Sequence, residues 1–146
     1  NHMKFAQRHP IQDICILVTD IDRSIAFYTE KLGFALQHRA PGFADFTGAG
    51  LTLALWERSH IEQHADVRVK PGSASAVLIA VRIGSIAELE AIYGELQAEG
   101  IAFLRPPQDY PWNARCLYFH GPDGETWELY AWLEGGAPGK IVEATP

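Results

Sequence analysis

The chain has 146 residues and 47% hydrophobic content, enough for one well-buried core and too short for two ordinary independent domains. Its formal charge is −6 and it carries no basic run or stripe, which argues against a nucleic-acid partner because phosphate binding needs clustered Lys and Arg. No apolar run approaches the ~20 residues of a membrane span and no signal-peptide core opens the chain, so no membrane partner is expected and the reading is a soluble, cytoplasmic protein.

Residues 1–10 read as a tag remnant, Asn1-His2 ahead of the only methionine, Met3, followed by an N-terminal segment. A first module occupies 11–56. It opens with the apolar strand Asp13-Ile-Cys-Ile-Leu-Val18, and then Asp20 caps a helix whose Ile21, Ile25, Tyr28 and Leu32 recur at helical spacing up to Gly33. Three strands follow, Phe34 to Arg39, Ala44 to Thr47 and Leu51 to Trp56, with Gly48-Ala-Gly50 as a hairpin turn. Residues 57–75 mix charges, small residues and a Pro-Gly pair and read as a linker with room for one short helical turn. Its His60 and His64 have the i,i+4 spacing of a helical metal pair but lack the Glu placement of a zincin, and they are expected to be solvated.

A second module, 76–133, repeats the plan. Ala76-Val-Leu-Ile-Ala-Val81 is its first strand; Ser85 caps a helix with Leu89, Ile92, Tyr93 and Leu96 inward, Glu88 completes a capping box, and Gly100 ends it. The strands Ala102 to Arg105, Cys116 to His120 and Thr126 to Ala131 follow. The spacing between matching residues drifts from Ile14/Val77 to Gly33/Gly100, as in a diverged pair and unlike a solenoid, which needs three or more copies. Residues 134–146 form a tail that is either flexible or laid across a neighbouring subunit. Cys15 and Cys116 lie in apolar strands and are expected to be buried free thiols.

Strand parity assigns two faces. Ile14, Ile16, Val18, Leu51, Leu53, Leu55, Val77, Ile79, Val81, Leu117, Phe119, Trp127 and Leu129 should lie under the helices. Asp13, Cys15, Leu17, Thr52, Ala54, Trp56, Ala76, Leu78, Ala80, Cys116, Tyr118, His120, Thr126, Glu128 and Tyr130 then share the other face. Curled so that this mixed face is concave, such a sheet makes a cup with the composition of a small-molecule pocket.

Val18-x-Asp20, Arg23-Ser-x-x-Phe-Tyr28, Leu32-Gly-Phe34 and, at the other end, Phe119-x-Gly-Pro-Asp-Gly124-x-x-x-Glu128-Leu129 make the chain resemble the vicinal oxygen chelate superfamily of glyoxalases, bleomycin-resistance proteins and extradiol dioxygenases. The resemblance covers Ile11 to Leu133. It implies an α+β fold of two βαβββ modules forming a shared curved mixed sheet, one structural domain over 11–133, and a homodimer. It also implies four ligand positions for a divalent metal, which here hold Asp13, Ala54, Ala76 and Glu128. Two alanines cannot ligate, so no metal and no other cofactor is expected, with a divalent metal as the alternative.

The candidate ligand pocket is Asp13, Trp56, Tyr110, Trp112, Arg115, Tyr118, Glu128 and Tyr130. Glu128, between Trp127 and Leu129, calls for a polar partner or a raised pKa. Tyr110-Pro-Trp112-Asn-Ala-Arg115 reads as an exposed aromatic loop, a lid beside the cup, and Arg115 as meeting either a ligand anion or Glu128. The expected function is metal-independent sequestration of a small molecule, aromatic and neutral or cationic. The alternatives are a metal-dependent lyase or dioxygenase, an isomerase with Glu128 as general base, and a non-catalytic partner subunit.

Overall fold

The computed structural model describes residues 4–65, 67–69 and 77–133, which fall into two compact units, Asn1–Lys70 and Pro71–Pro146. The first unit runs α1 (Phe5–Arg8), β1 (Asp13–Val18), α2 (Ile21–Ala26) with a π-helical turn over Phe27–Lys31, β2 (Ala35–Ala40), β3 (Phe43–Ala49), β4 (Leu51–Glu57) and α3 (Arg58–Ala65). The second runs β5 (Leu78–Arg82), α4 (Ile86–Ala98), β6 (Gln108–Tyr110), β7 (Ala114–His120) and β8 (Thr126–Trp132). Each unit builds a four-stranded mixed sheet, in the orders β1-β4-β3-β2 and β5-β8-β7-β6, with the first strand parallel to the last and the other pairs antiparallel. This is the α+β architecture of paired βαβββ modules. No helix among the described residues is long and apolar enough to cross a membrane.

Helix ends explain why the elements start and stop where they do. The Asp20 carboxylate accepts from the Arg23 amide at 3.1 Å, and Glu57, at the end of β4, accepts from the Ile21 amide at 3.1 Å, so two otherwise orphaned donors of α2 are satisfied. Ser85 caps α4 through the Glu88 amide at 3.1 Å. The expected capping box is only half made, because the Glu88 carboxylate lies over Gly84. Gly100, at φ +89°, closes α4 with the bonds Gly100 N–H to Gln97 and Ile101 N–H to Leu96, the paired bonds of a Schellman ending. At Gly33 the bonds reach one residue further, Gly33 N–H to Thr29 and Phe34 N–H to Tyr28, as the π-helical turn requires.

The core follows parity except at the first strand of the second unit, where Val77 and Val81, expected under a helix, are exposed. In the first unit Ile16, Val18, Ala44, Phe46, Leu53 and Leu55 are buried together with Ile21, Ile25 and Tyr28 of the helix, and in the second Leu117, Phe119, Trp127, Leu129 and Ala131 are buried with Leu89 of α4. Phe119 and Trp127, register partners on β7 and β8, stack at 6.2 Å with their planes 6° apart.

Four expectations need correction. Ala102 to Arg105 is not a strand: Phe103 makes a lone bridge to Phe119, and the ladder resumes at Gln108–Tyr110. Pro106 and Pro107 bring no amide hydrogen and restrict the residues before them, so pairing starts only beyond them. The segment read as a linker holds the two-turn helix α3, anchored by the buried Ile61. Its histidines are not simply solvated, as the next section describes. Cys116 is buried but Cys15, on the outer strand of its sheet, is exposed. Ala76 and the tail 134–146 lie outside the described residues.

The Gly121-Pro-Asp-Gly124 turn between β7 and β8 shows why glycine stands first. The buried Glu125 side chain folds back beneath the turn, accepts from the Asp123 amide at 2.8 Å, and leaves a Cβ on Gly121 only 2.4 Å from its carboxyl carbon. Gly121→Ala should therefore lower stability by about 1–3 kcal/mol through overpacking. By contrast, a Cβ on the α4 glycine Gly94 would meet nothing within 4 Å. Gly94→Ala should raise stability by about 0.5–1 kcal/mol. Urea denaturation midpoints of the two variants should move in opposite directions.

Candidate functional site

The β7–β8 pairing sets Tyr118 directly opposite Glu128, and Cys116 opposite Tyr130, on the face of the second sheet that α4 does not cover. The Tyr118 hydroxyl donates to the Glu128 carboxylate at 2.5 Å, which supplies the polar partner expected of that residue. Burial and then the hydrogen bond and charge of Glu128 hold the Tyr118 phenol above its ordinary range, so it stays protonated and donates. Burial and then the Glu128 charge push the Cys116 thiol up to about 11, although hydrogen bonding from Tyr118 and Trp112 pulls partly the other way. Cys116, Tyr118, Glu128 and Trp112 thus form one interacting group.

Aromatic rings surround it. Tyr110 ends β6 and Trp112 sits on the hairpin tip, stacked on Tyr110 at 4.6 Å and 17°. Tyr110 also meets Tyr118 edge-on at 6.4 Å. Tyr130 meets Trp132 edge-on at 5.2 Å. The segment expected as a lid loop is a tight hairpin. Asn113, at φ 65°, donates to Tyr110 O at 3.1 Å and accepts from the Leu133 amide at 2.9 Å, so the tip is tied on both sides.

Of the eight expected pocket residues, five meet here: Tyr110, Trp112, Tyr118, Glu128 and Tyr130. Arg115 does not. Odd-numbered on β7, it shares the helix-side face with Leu117 and Phe119, where it forks onto Asp109 at 2.6 and 3.2 Å and reaches Glu90 of α4 at 3.0 Å. The Arg115 hydrogen bonds hold the Asp109 carboxyl below its ordinary range. Arg115 therefore ties the aromatic hairpin to α4 from behind, touching neither Glu128 nor the space in front of it.

Asp13 and Trp56 belong to the first sheet, at opposite ends of the β1–β4 register. Trp56 is fixed by its ring N–H, which donates to His60 Nδ1 at 3.0 Å, and by an edge contact to Phe43 at 6.1 Å. His64 stacks on His60 at 4.1 Å and bonds its carbonyl at 2.9 Å. The histidine pair braces Trp56; Gly42, whose Cβ would fall 2.7 Å from His60, completes the packing.

Cys116 is a buried free thiol on the face where parity puts it. Three further groups are not among the expected pocket residues. Trp132 and Arg82 extend the same parity, Trp132 two residues past Tyr130 and Arg82 opposite Tyr130 in register. His38 and Asp45 face each other across β2 and β3, His38 Nδ1 lying 3.0 Å from Asp45 Oδ1 and the His38 amide donating to the same oxygen at 2.9 Å. Counting outward from Pro41-Gly42 as a two-residue hairpin turn would have paired them.

The four metal-ligand positions implied by the sequence resemblance do not fit a metal here. Ala54 offers only a buried methyl group, Ala76 has no donor in its side chain, and Glu128 is engaged by Tyr118. Among the described residues, no three of His, Cys, Asp or Glu converge on a common point.

Comparison with known proteins agrees with this architecture. The family model for the Glyoxalase/Bleomycin resistance protein/Dioxygenase superfamily matches residues 10–129. A crystal structure of a glyoxalase/bleomycin resistance protein/dioxygenase from Nocardioides is 47% identical, covers 92% of this chain and 91% of its own, and superposes with a TM-score of 0.82. A lactoylglutathione lyase from Agrobacterium tumefaciens shares the fold at a TM-score of 0.69 and 19% identity, over 86% of this chain and 96% of its own. A bleomycin resistance protein from Geobacillus stearothermophilus is 48% identical over 42 residues, 29% of this chain, so the match spans about a third of that relative's length, 32%.

The raised thiol gives a pH dependence with a definite sign. Cys116 titrates at about 11 in the folded protein against an ordinary 9.0, so the unfolded chain loses that proton first. The stability it contributes is complete below about pH 9 and is lost as pH rises toward 11. Urea midpoints measured from pH 7 upward should fall over this window, and Cys116→Ala should flatten the fall.

Proposed function

The chain belongs to the glyoxalase/bleomycin resistance protein/dioxygenase superfamily, and we propose that within it this protein binds a small molecule without a metal and works by sequestering it. The observation that carries the reading is the Tyr118–Glu128 pair set among the rings of Tyr110, Trp112, Tyr130 and Trp132. The ligand is planar or aromatic and neutral or cationic. Rings accept it by stacking, and the Glu128 carboxylate favours positive charge beside a ring system. Arg115, committed to Asp109 and Glu90, does not counter it; Arg82 lies one register step beyond.

Sequestration needs no catalytic group, and Ala54 in place of a metal donor supports it over the lyase reading. The short likeness to bleomycin resistance protein points the same way. The free thiols Cys15 and Cys116 suit a reducing, cytoplasmic compartment. The protein acts as a homodimer: among the described residues β1 and β5 each end their sheet with an unpaired edge, and Leu78 and Val81 of β5, with Val77 before them, are exposed.

Two measurements test this. Calorimetric titration with ethidium, a planar cation, and with acridone, a neutral planar ring system, should give binding that persists in EDTA and weakens about tenfold in Glu128→Gln for the cation but little for the neutral compound. Binding of the planar anion 1-anilinonaphthalene-8-sulfonate alone would overturn the charge assignment, and binding abolished by EDTA would overturn metal independence. Light scattering at micromolar concentration should give a dimer mass, and a monomer mass would defeat the edge argument.

A further inference from the structure

We propose a second binding site, in the first unit, for a small uncharged molecule that presents an N–H donor and a C=O acceptor side by side. A cleft of about 260 Å³ opens at the end of the first sheet, where Gln12, Gln37, Thr47 and Thr52 converge around the β3–β4 turn. Two irregularities of pairing border it. The β2–β3 register slips between Leu36 and His38, at Gln37, and the β3–β4 register slips between Phe46 and Ala49, at Thr47 and Gly48. Bulges of this kind re-aim a side chain out of the regular alternation, and they gather beside functional sites. Gln12, just ahead of β1, borders the cleft beside Thr52, whose amide donates to the Gln12 carbonyl at 3.0 Å.

The chemistry of the lining defines the ligand. None of the residues lining the cleft is ionisable. The side chains of Gln12, Gln37 and Thr52 have no hydrogen-bond partner among the described residues, and Thr47 spends only its donor, on Ala35 O at 3.5 Å. Two carboxamides and two hydroxyls offer donors and acceptors in mixture and nothing to neutralise a charge, so a carboxylate, phosphate or ammonium would lose hydration without compensation. Phe46 contributes a floor but no stacking surface, being 1% exposed. Recognition is therefore through the edge of the ligand: a glutamine carboxamide pairs with an amide by two parallel N–H···O bonds. Taking ~30 Å³ for each water displaced, the cleft holds about nine heavy atoms, the size of a benzamide or a small lactam ring.

Titration of the whole chain with benzamide, 2-pyridone and benzoate, followed through the side-chain NH2 resonances of Gln12 and Gln37, tests the site. Benzamide and benzoate have the same skeleton and differ in charge; 2-pyridone presents the same edge within a ring. Benzamide or 2-pyridone should move both glutamine signals with a millimolar dissociation constant, as suits about nine atoms. Benzoate should bind at least tenfold more weakly, and Gln12→Leu and Gln37→Leu should each weaken binding about tenfold. Movement by benzamide alone assigns a primary amide, movement by 2-pyridone alone a ring lactam such as a nucleobase edge, and either supports the site. Both glutamines are exposed, so the variants should keep the wild-type circular dichroism spectrum. Equal binding of benzoate, still signals up to about 20 mM of both amides, or unchanged binding in the two variants would overturn it.

Discussion

A strand commits every side chain to one of two faces, and in each of these units only one face of the sheet can be dried by a helix. That constraint sorts the molecule. Leu53, Leu55 and Phe46 in the first unit, and Leu117, Phe119 and Leu129 in the second, carry the burial that offsets chain entropy. The other face is relieved of that duty, so it can hold Glu128, Tyr118 and Cys116 in the second sheet and His38, Asp45 and Cys15 in the first. Shifting either register by one residue would exchange the two sets and bury carboxylates beneath a helix. The capped helix starts and the glycine turns therefore matter beyond their own energies, because they fix the register on which this separation rests.

This dependence also shows which parts of the protein could be read directly from residues. Where the pattern is strictly periodic, as in β1, β4, β7, β8 and the two long helices, parity placed the core and put Tyr118, Glu128 and Tyr130 on one face. Where the chain departs from regularity, it failed. Pro106-Pro107 moved the ladder from Ala102–Arg105 to Gln108–Tyr110, and that shift converted Tyr110 from a loop residue into a strand residue. Arg115 was assigned by its nearness in sequence to Tyr110 and Trp112. Its parity, odd like that of Leu117, already placed it on the opposite face, where it meets Asp109 and Glu90. The bulge at Gln37 has no signature in residue type, since it arises from how β2 pairs with β3.

The histidines of α3 show a different reason for failure. Their i,i+4 spacing suggests chelation or solvation, both properties of the helix alone. The structure uses that spacing to stack His64 on His60, whose Nδ1 accepts from Trp56. A side chain four residues before His60 in the chain, on a different element, decided the role. A partner of that kind is set by the angle at which β4 runs into α3.

Glu128 and Ala54 together make the strongest case about chemistry. A carboxylate on a ring-lined face loses hydration on folding, and one hydrogen bond from Tyr118 returns only about 1.5–3 kcal/mol when the acceptor is charged. An apolar residue in its place would satisfy the sheet with less compensation, so stability alone gives little reason for a glutamate there. Ala54 is the converse: a small, buried, inert side chain that serves packing and offers a ligand nothing. On the second sheet, then, Glu128 keeps a costly carboxylate among aromatic rings, and on the first, Ala54 brings no donor group.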